Sequence, residues 1–334
     1  MITIELIYNV DNAILITGFN GEIGRQTLLS LSKKEIPIIA LDINESDIKY
    51  NNVVYIKDSI LNQSVITSIF NDYNIIEVYH FAALLSQSAN NNPELAHEVN
   101  EEGSQLIINS AMSHGIKNES FIKIFFPSSI AVYGPRKLKN AKELDIIKPQ
   151  TIYGCNKLAI EQFGTQRHEE SIELGFGIDF RCLRFPGIIS PYTIPSGGTT
   201  DFAPQMLHAA YNNERYTCKV DSATTLPFLG IKNAVEAILQ IMVIPNIDSK
   251  LRAFNVQETN LNPKEIIAEL QKEFPKFIVD YDIDSKFQSI ADTWPENLNC
   301  DEATKKWNFV NNQNKNIIFE EYLIPEIKKH YGKH

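Results

Sequence analysis

The sequence predicts an α/β fold in which helices cover both faces of a doubly wound parallel sheet, with a smaller C-terminal lobe appended. Three observations indicate this class. Short runs rich in β-branched and aromatic residues alternate with longer stretches of helical spacing as far as Phe185. A glycine-rich turn follows the first run, and beyond Phe185 the pattern loosens into a loop rich in proline and glycine.

The alternation assigns each element in order. Strands are predicted at residues 13–17, 36–41, 53–57, 77–81, 121–126 and 179–185, and helices at 23–34, 64–73, 93–114 and 153–174. Gly115 and Gly175 stand where helices commonly end. In the second half we expect helices at 202–213, 232–243, 263–274 and 317–330, a strand at 253–256 and a surface loop at 311–316.

Length, charge and cysteine usage exclude several classes of protein. The chain has 334 residues, enough for about two cores. Its 31 basic and 41 acidic residues give a net charge of −10, which repels phosphate backbones and anionic lipids. We therefore expect neither a nucleic-acid nor a membrane partner. Four cysteines without a CxxC pair predict no zinc site, no disulfide framework and a reducing compartment.

The start of the chain predicts no targeting signal. No apolar run approaches the roughly 20 residues that a membrane span needs, and no cationic region is followed by an apolar core. The first ten residues contain neither Arg nor Lys, which argues against a mitochondrial presequence. We therefore expect a cytoplasmic protein.

Gly18, Gly21 and Gly24 form a turn between the first predicted strand and the first helix. Without side chains, Gly18 and Gly21 let the backbone approach a pyrophosphate, whose charge meets the free N–H groups of the helix start. Gly24 permits close packing of the helix on the strand. A plain glycine turn is the alternative, since such patterns also occur by chance. The place of this turn after a strand favours a Rossmann-like dinucleotide-binding domain.

Asp42 follows the second predicted strand. A carboxylate at this place can accept hydrogen bonds from both hydroxyls of an adenosine ribose, and it repels a 2′-phosphate, so NAD is the expected cofactor. The two residues after Asp42 carry no cation that could receive such a phosphate. Asp58 and Ser59, after the third strand, are candidates either for the adenine amine or for a helix N-cap.

Tyr153 and Lys157 carry the strongest chemical signal. Their i, i+4 spacing puts the phenol and the ammonium on one face of a predicted helix. There the lysine charge favours the phenolate and lowers the Tyr153 pKa toward working pH, which makes a general base for an alcohol proton. Ser128 and Ser129 follow the fifth strand, at the sheet edge where a hydroxyl could hold the substrate oxygen. Alone, the pair would more often be a solvated helix face.

Together these motifs resemble the extended short-chain dehydrogenases/reductases, and more closely the short-chain-type L-threonine 3-dehydrogenases. The matching segments are 82–86 (AALLS), 128–134 (SSIAVYG), 183–190 (LRFPGIIS), 197–202 (GGTTDF), 215–218 (RYTC) and 290–295 (IADTWP). The GGTTD loop is the most specific of them. Two departures stand out: the N-terminus extends beyond the family pattern and could add an edge strand, and segment 226–230 (LPFLG) could reshape the substrate wall.

The resemblance implies a role for each matching residue. Tyr153 is the base, Lys157 holds the nicotinamide ribose, and Ser129 binds the reacting hydroxyl; these three form the catalytic set. The implied NAD-binding residues are Gly18, Asn20, Gly21, Glu22, Ile23, Asp42, Asp58, Ser59, Phe81, Ala82, Ala83, Asn100, Lys157, Pro186 and Ile188. The implied substrate-binding residues are Leu85, Ser86, Ser128, Ser129, Tyr153, Gly187, Thr199 and Thr200, and no metal is implied.

Other polar and aromatic residues have more ordinary interpretations. Asn100 matches the family's asparagine that supports a proton-relay water, with a helix-surface amide as an equal alternative. His80 has no second ligand at metal spacing, so we expect it in the core or in the shell around the cofactor. Tyr133, Trp294 and Trp307 are expected to be packing residues.

The resemblance implies NAD-dependent oxidation of the C3 hydroxyl of L-threonine to 2-amino-3-oxobutanoate by hydride transfer. Residues 1–185 would bind NAD, parts of 219–260 would return to that domain, and 186–334 would form mainly a substrate-binding lobe for a small amino acid. A homodimer would form through the helices at 93–114 and 153–174.

Two other functions remain open at this point. A nucleotide-sugar epimerase or dehydratase shares the cofactor half and the Ser/Tyr/Lys set, and only the loop after Phe185 separates it from the first interpretation. A protein that senses NAD without chemistry belongs to another class. It would have no need to keep Ser129, Tyr153 and Lys157 together.

Overall fold

The computed structural model describes residues 12–135, 137–145, 147–195, 197–245, 247, 250–311 and 314–332. The N-terminal edge strand considered above lies outside these residues, as does part of the loop predicted at 311–316. Among the helices in these ranges, none has the length and apolar character needed to cross a membrane. All four cysteine thiols are free.

The strands of the described chain form three sheets. In chain order they are β1 (Asn12–Thr17), β2 (Ile38–Asp42), β3 (Val53–Lys57), β4 (Asn74–His80), β5 (Phe121–Ser129), β6 (Gly177–Phe185), β7 (Gly187–Ile189), β8 (Tyr216–Cys218), β9 (Leu226–Gly230), β10 (Ala253–Asn255), β11 (Thr259–Leu261) and β12 (Val279–Tyr281). The sequence pattern missed β7, β8, β9, β11 and β12. Four of them have three residues each, too few for a hydrophobic period to emerge. β9 has five residues, but segment 226–230 was considered only as a possible substrate wall.

The main sheet has seven strands in the order β3-β2-β1-β4-β5-β6-β10. Every neighbouring pair is parallel, so each connection crosses over a face of the sheet. The chain starts at the centre and winds outward in both directions, which confirms the predicted doubly wound α/β fold. The winding reverses beside β1, where ligands of such sheets bind at the carboxyl ends of the strands.

The main sheet is buried on both faces. All nine residues of β6 and all five of β2 are buried, as expected for parallel strands covered by helices on each side. Side chains alternate along β1, because Ile14 and Ile16 belong to one apolar cluster whereas Ala13 and Leu15 belong to the other. The sheet therefore separates two cores and holds its strand ends rigidly.

The described helices in chain order are α1 (Glu22–Leu31), α2 (Gln63–Asp72), α3 (Ser86–Asn91), α4 (Pro93–His97), α5 (Ser104–Lys117), α6 (Ile152–Leu174), α7 (Phe202–Tyr211), α8 (Ile231–Val243), α9 (Pro263–Glu273), α10 (Ser285–Ala291), α11 (Asp301–Trp307) and α12 (Ile324–Tyr331). Two π-helical turns, Glu98–Gly103 and Ile317–Leu323, lead into α5 and α12. The helix predicted at 93–114 is therefore α4, a π turn and α5. The sequence pattern predicted one continuous helix because the spacing of apolar residues does not reveal a π-helical turn.

The two predicted helix ends differ in outcome. α6 is followed by Gly175, whose φ of +83° ends the helix as predicted. Gly115 lies inside α5, which continues to Lys117. A Cβ on Gly115 would lie 2.2 Å from the carbonyl oxygen of Gly177 at the start of β6. Gly115 therefore allows α5 to pack closely on β6, and the predicted helix end there is wrong.

The chain after β6 is divided between the main sheet and smaller sheets. β10 pairs with β6, and α8 packs against β5 and β6. β9 pairs in parallel with β7 and antiparallel with β11, whereas β8 pairs in parallel with β12. These small sheets carry the segment between β6 and α7 to the carboxyl edge of the main sheet.

Candidate active site

A cavity of about 720 Å³ runs along the carboxyl edge of the main sheet. Its walls include residues that end or follow each strand from β1 to β6. Of the residues that the sequence singled out for NAD or substrate, every one except Asn100 lines this cavity. Lining residues that sequence reasoning missed as site residues include Leu84, Ser190, Thr193, Asp201, Pro204 and Trp294.

The turn between β1 and α1 brings the backbone to the cavity. Gly18 has a φ of +66°, and its N–H donates to the carbonyl oxygen of Leu41 at 2.9 Å. A Cβ on Gly18 would lie 2.4 Å from the amide nitrogen of Ala82, so only glycine fits there. α1 begins at Glu22 after Gly21, with no side-chain hydrogen bond capping its start. Its first N–H groups are free to meet an anionic ligand.

Asp42 ends β2 and is 8% exposed. Its Oδ2 accepts a hydrogen bond from Asn20 N at 3.0 Å, and its Oδ1 accepts one from Asn44 N at 2.9 Å. Two backbone donors thus fix the carboxylate at the cavity wall, with lone pairs left for ribose hydroxyls. Lys157 is the one cationic side chain among the described lining residues. A 2′-phosphate beside Asp42 would therefore meet an anion without a nearby counter-charge.

Asp58 and Ser59 line the cavity beyond β3. Asp58 Oδ1 accepts from Ser59 N at 2.7 Å and from Asn62 Nδ2 at 3.1 Å. Ser59 Oγ accepts from Leu61 N at 3.1 Å. The N-cap of α2 is Asn62, whose side chain accepts from Val65 N. The alternative of an N-cap at Asp58 or Ser59 is therefore wrong, because both residues shape the turn that precedes the helix.

Ser129 and Tyr153 meet at the cavity wall. β5 ends at Ser129, whose Oγ accepts from Ala131 N at 3.2 Å. α6 begins one residue before Tyr153, and its N-cap Thr151 accepts from Gly154 N at 3.0 Å. Ser129 and Tyr153 both line the cavity, and the Ser129 side chain acts on the Tyr153 phenol, whose pKa it lowers against the effect of burial. A rigid strand end and a capped helix start thus hold these two hydroxyls together.

Burial decides the protonation of Tyr153 and Lys157. It raises the pKa of the Tyr153 phenol above its usual range, and the Ser129 side chain only partly opposes this rise. Burial also lowers the pKa of the Lys157 ammonium to about 8, against the charges of Cys182 and Glu161. The sequence-based prediction that Lys157 lowers the Tyr153 pKa is therefore wrong for the protein alone, because desolvation outweighs the charge.

Two buried polar groups face the cavity without a hydrogen-bond partner in the described part of the chain. Ser128 Oγ is buried and has no hydrogen-bond partner among the described residues. Lys157 Nζ lies 4.5 Å from the centre of the Phe126 ring and 5.5 Å from that of Tyr153, and it donates no hydrogen bond within the described chain. Groups of this kind favour a bound ligand that satisfies them. With the glycine turn and Asp42, they fit NAD.

Asn100 does not line the cavity. It lies in the π turn before α5 and is 3% exposed, so the helix-surface alternative is wrong. Its Oδ1 accepts from Leu84 N at 2.7 Å, and its Nδ2 donates to Leu84 O at 3.0 Å and to Asn156 Oδ1 at 3.3 Å. Asn100 thus holds the backbone of the loop that carries Ala82 and Ser86 along the cavity wall.

His80 lies in the core beneath this wall. Its Nδ1 is 2.6 Å from Thr17 Oγ1 and its Nε2 is 2.9 Å from Ser104 Oγ. Since Ser104 Oγ donates to Asn100 O, it accepts from Nε2–H, and Nδ1 accepts from Thr17. Burial lowers the pKa of His80 to about 3, which keeps the ring neutral. Within the described residues, no group of three or more His, Cys, Asp and Glu could hold a metal ion.

Thr199 and Thr200 line the cavity together with Asp201, which precedes α7. Asp201 Oδ2 accepts from Gly198 N at 2.6 Å, and burial raises the pKa of the Asp201 carboxyl to about 6. The backbone of α3 donates to this loop at 3.0 Å, and α3 begins at Ser86. The structure therefore brings the predicted substrate residues of two distant segments together.

Trp294 is 4% exposed and packs in the core, as predicted, and it also lines the cavity. The suggestion that segment 226–230 could reshape the substrate wall needs correction, because the segment forms β9 and contributes no residue to the cavity lining. Phe228 instead backs Gly187, where a Cβ would lie 2.5 Å from its ring. Tyr133 and Trp307 are buried away from the cavity, as predicted.

Fold and cavity define the class of protein: an NAD-dependent enzyme built on a Rossmann-type sheet. The chain belongs to the NAD dependent epimerase/dehydratase family, whose sequence model matches residues 14–256. This finding confirms the predicted family and the NAD cofactor.

Individual relatives extend the comparison over most of the chain. The mitochondrial L-threonine 3-dehydrogenase of Sus scrofa is 34% identical over 299 residues, covering 88% of this chain and 77% of that protein. An uncharacterized epimerase/dehydratase of Staphylococcus haemolyticus is 33% identical over 304 residues, covering 89% and 92%. The structure of a monomeric L-threonine 3-dehydrogenase from a metagenome has a TM-score of 0.84 at 32% identity, covering 95% and 99%. Homodimer and cytoplasmic location stay predictions.

Proposed function

We propose that this protein oxidises the C3 hydroxyl of L-threonine with NAD and yields 2-amino-3-oxobutanoate. The observation that carries the proposal is the meeting of Ser129, Tyr153 and Lys157 on a cavity that Thr199 and Thr200 also line. Relatives named L-threonine 3-dehydrogenase, similar along nearly the whole chain, support this substrate.

Ser129 and Tyr153 handle the proton of the reacting hydroxyl. Both residues line the cavity, and a substrate oxygen placed between their hydroxyls would be held by Ser129 and deprotonated by Tyr153. The phenolate of Tyr153 takes the hydroxyl proton as the C3–O bond gains its double-bond character. Lys157, one helical turn away, offers its positive charge to the forming phenolate and supports its ionisation.

NAD, when bound, supplies the hydride acceptor for the hydrogen that leaves C3. The glycine turn, Asp42, Ser128 and Lys157 would hold it, through the N–H groups at the start of α1, a fixed carboxylate and two polar groups that have no hydrogen-bond partner among the described residues. The protein's own contribution is therefore orientation and proton transfer at the carboxyl edge of the sheet.

Substrate recognition would rest on the opposite wall. Hydroxyls of Ser86, Thr199 and Thr200 can donate to the carboxylate of an amino acid, and the Asp201 carboxylate can accept from its ammonium. Leu85 and Gly187 line the same region without polar side chains and leave space for the C4 methyl group. Amino acids with a C3 hydroxyl are the substrate class that this wall fits.

The test is an absorbance assay at the NADH band with purified protein, NAD and L-threonine, beside L-serine and L-allo-threonine. NADH formation with L-threonine supports the proposal. Turnover of a nucleotide sugar without any threonine-dependent NADH would replace it with epimerase or dehydratase chemistry. Saturable NAD binding with no turnover on amino acids, hydroxy acids or nucleotide sugars would replace it with NAD sensing.

We extend the proposal to assembly and location. Ile172 and Leu174 on α6 are 58% and 52% exposed, and a second copy of the chain could cover this apolar end of the helix. Light scattering on purified protein distinguishes a homodimer from a monomer. Four free thiols suit a reducing compartment such as the cytoplasm, which fractionation of expressing cells tests.

A further inference from the structure

Glu22 connects the glycine turn to the far side of the cavity. It is the first residue of α1, directly after Gly21. Its Oε1 accepts a hydrogen bond from Ser190 Oγ at 2.6 Å, and its Oε2 accepts one from Thr193 Oγ1. Ser190 is 3% exposed and follows β7, on the segment that leads to α7. One carboxylate thus bridges the two walls of the cavity.

Ser190 is also fixed from its other side. Its Oγ accepts from Tyr192 N at 3.1 Å, and its carbonyl oxygen lies 3.2 Å from His208 Nε2. Because a carbonyl can only accept, His208 Nε2 carries the proton, and Nδ1 accepts from Tyr331 Oη at 2.8 Å. Burial lowers the pKa of His208, which keeps this neutral form. α7 and α12 therefore hold the segment at the point that Glu22 binds.

The direction in which the Glu22 carboxylate points indicates its role. A carboxylate in the first turn of α1 is favoured by the helix dipole, yet a pyrophosphate would use the same N–H groups. Two hydroxyl donors draw the carboxylate away from the turn and toward Ser190 and Thr193. These hydrogen bonds connect the two walls of the cavity. They favour this structural role for Glu22 over the direct cofactor contact that the sequence resemblance implied.

We infer that Glu22 is a positioning residue which, through Ser190 and Thr193, fastens the segment before the 197–201 loop to the glycine turn. A bound dinucleotide would order the glycine turn. The hydrogen bonds of Glu22 with Ser190 and Thr193 would then also order the substrate loop at 197–201. Because such coupling is reciprocal, loss of these hydrogen bonds weakens both NAD binding and substrate binding. The inference rests on the proposed threonine oxidation only where its test measures the KM for L-threonine.

Two variants, Glu22→Ala and Glu22→Gln, distinguish the effect of the hydrogen bonds to Ser190 and Thr193 from the effect of the negative charge of Glu22. Gln keeps an acceptor and adds a donor, so it preserves a bridge to the two hydroxyls, whereas Ala removes it. We expect Glu22→Ala to raise the KM for L-threonine about tenfold while kcat falls less, as expected for the loss of one strong hydrogen bond. We expect Glu22→Gln to raise this KM clearly less than Glu22→Ala does. Equal impairment of both variants, or of neither, would overturn the inference.

Hydrogen exchange tests the role of these hydrogen bonds without turnover. With NAD bound, the amides of Ser190, Tyr192, Thr193 and Ile194 should exchange faster in Glu22→Ala than in wild type. The double variant Ser190→Ala/Thr193→Val should show the same change, and adding Glu22→Ala to it should not increase the exchange further. The control is Asp72→Ala, which removes a similar contact (Ser68 Oγ to Asp72 Oδ2, 2.6 Å) on α2 outside the cavity. Unchanged exchange at 190–195 in both cavity variants contradicts the inference even if threonine is not the substrate.

Discussion

The ammonium of Lys157 lies 5.5 Å from the centre of the Tyr153 ring, one turn further along α6. The two groups share a desolvated wall in which burial raises the pKa of the phenol and lowers that of the ammonium to about 8. In this buried wall the Tyr153 phenolate alone and the Lys157 ammonium alone each have a high free energy. Each charge stabilises the other, so the two groups are most readily ionised together. If Tyr153 is the base, as proposed, its ionisation should therefore depend on the charge of Lys157.

This relationship predicts a pH profile. Tyr153 must lose its proton to act, and because burial raises its pKa, kcat/KM should rise as pH increases through neutrality. Lys157→Met removes the cation, so the rising limb should move to a pH higher by about 1 to 3. Lys117→Met, at the exposed end of α5, is the matched control and should leave the profile in place. Identical profiles for wild type and Lys157→Met would disprove the coupling.

Tyr153→Phe should separate catalysis from binding. The ring remains against Lys157 while the hydroxyl is lost, so turnover should fall by about 10²- to 10⁴-fold with NAD affinity nearly unchanged. Steady-state rates and NAD titration measure the two quantities. Tyr55→Phe, whose hydroxyl accepts from Tyr50 N outside the cavity, should behave as wild type. Full activity in Tyr153→Phe would rule out the phenol as the base.

Asp42→Ala should relax the choice of cofactor. It removes the carboxylate held by Asn20 and Asn44, and the loss of charge-assisted hydrogen bonds should weaken NAD binding by about 10- to 100-fold. Asp42→Asn keeps the size and removes the charge, so NADP binding should improve relative to NAD in both variants. Calorimetry with each cofactor measures the ratio. An unaltered preference for NAD in both variants would mean that Asp42 does not select it.

Glu161→Ala should destabilise the fold beneath the site. Arg184 donates to both Glu161 carboxylate oxygens, at 2.9 and 2.7 Å, and both side chains are buried. Removing one partner leaves a buried charge, at a cost of about 3 to 5 kcal/mol in the free energy of unfolding. Glu170→Ala, which breaks the more exposed pair with Arg167, should cost about 0 to 1 kcal/mol. Similar losses in denaturant titrations of both variants would contradict this account.

The main sheet could be predicted because each strand and helix carries its own pattern. β3 and α6 have apolar runs or capping residues that act locally, and the predicted strand bounds at 53–57 match the structure. β8 and β12 could not be found in this way. They have three residues each and exist because two segments some 60 residues apart pair with each other. The π turn before α5 was missed because its register serves the buried Asn100.

The candidate site was predictable where position along a strand sets position in space. Gly18, Asp42 and Ser129 follow or end parallel strands, so the sheet brings them to one edge. The contact between Glu22 and Ser190 was not predictable, since its partners are 168 positions apart and neither motif indicates that the two side chains meet. The Tyr153 pKa was misjudged because spacing reveals a nearby charge but does not reveal desolvation.

The most direct test of the central claim follows the hydrogen at C3. Purified protein is mixed with NAD and L-threonine that carries deuterium at C3, and the NADH is examined by mass spectrometry. The account predicts that NADH forms more slowly than with ordinary L-threonine and contains the deuterium. NADH without deuterium, or no NADH from L-threonine under conditions where NAD binds, would contradict it.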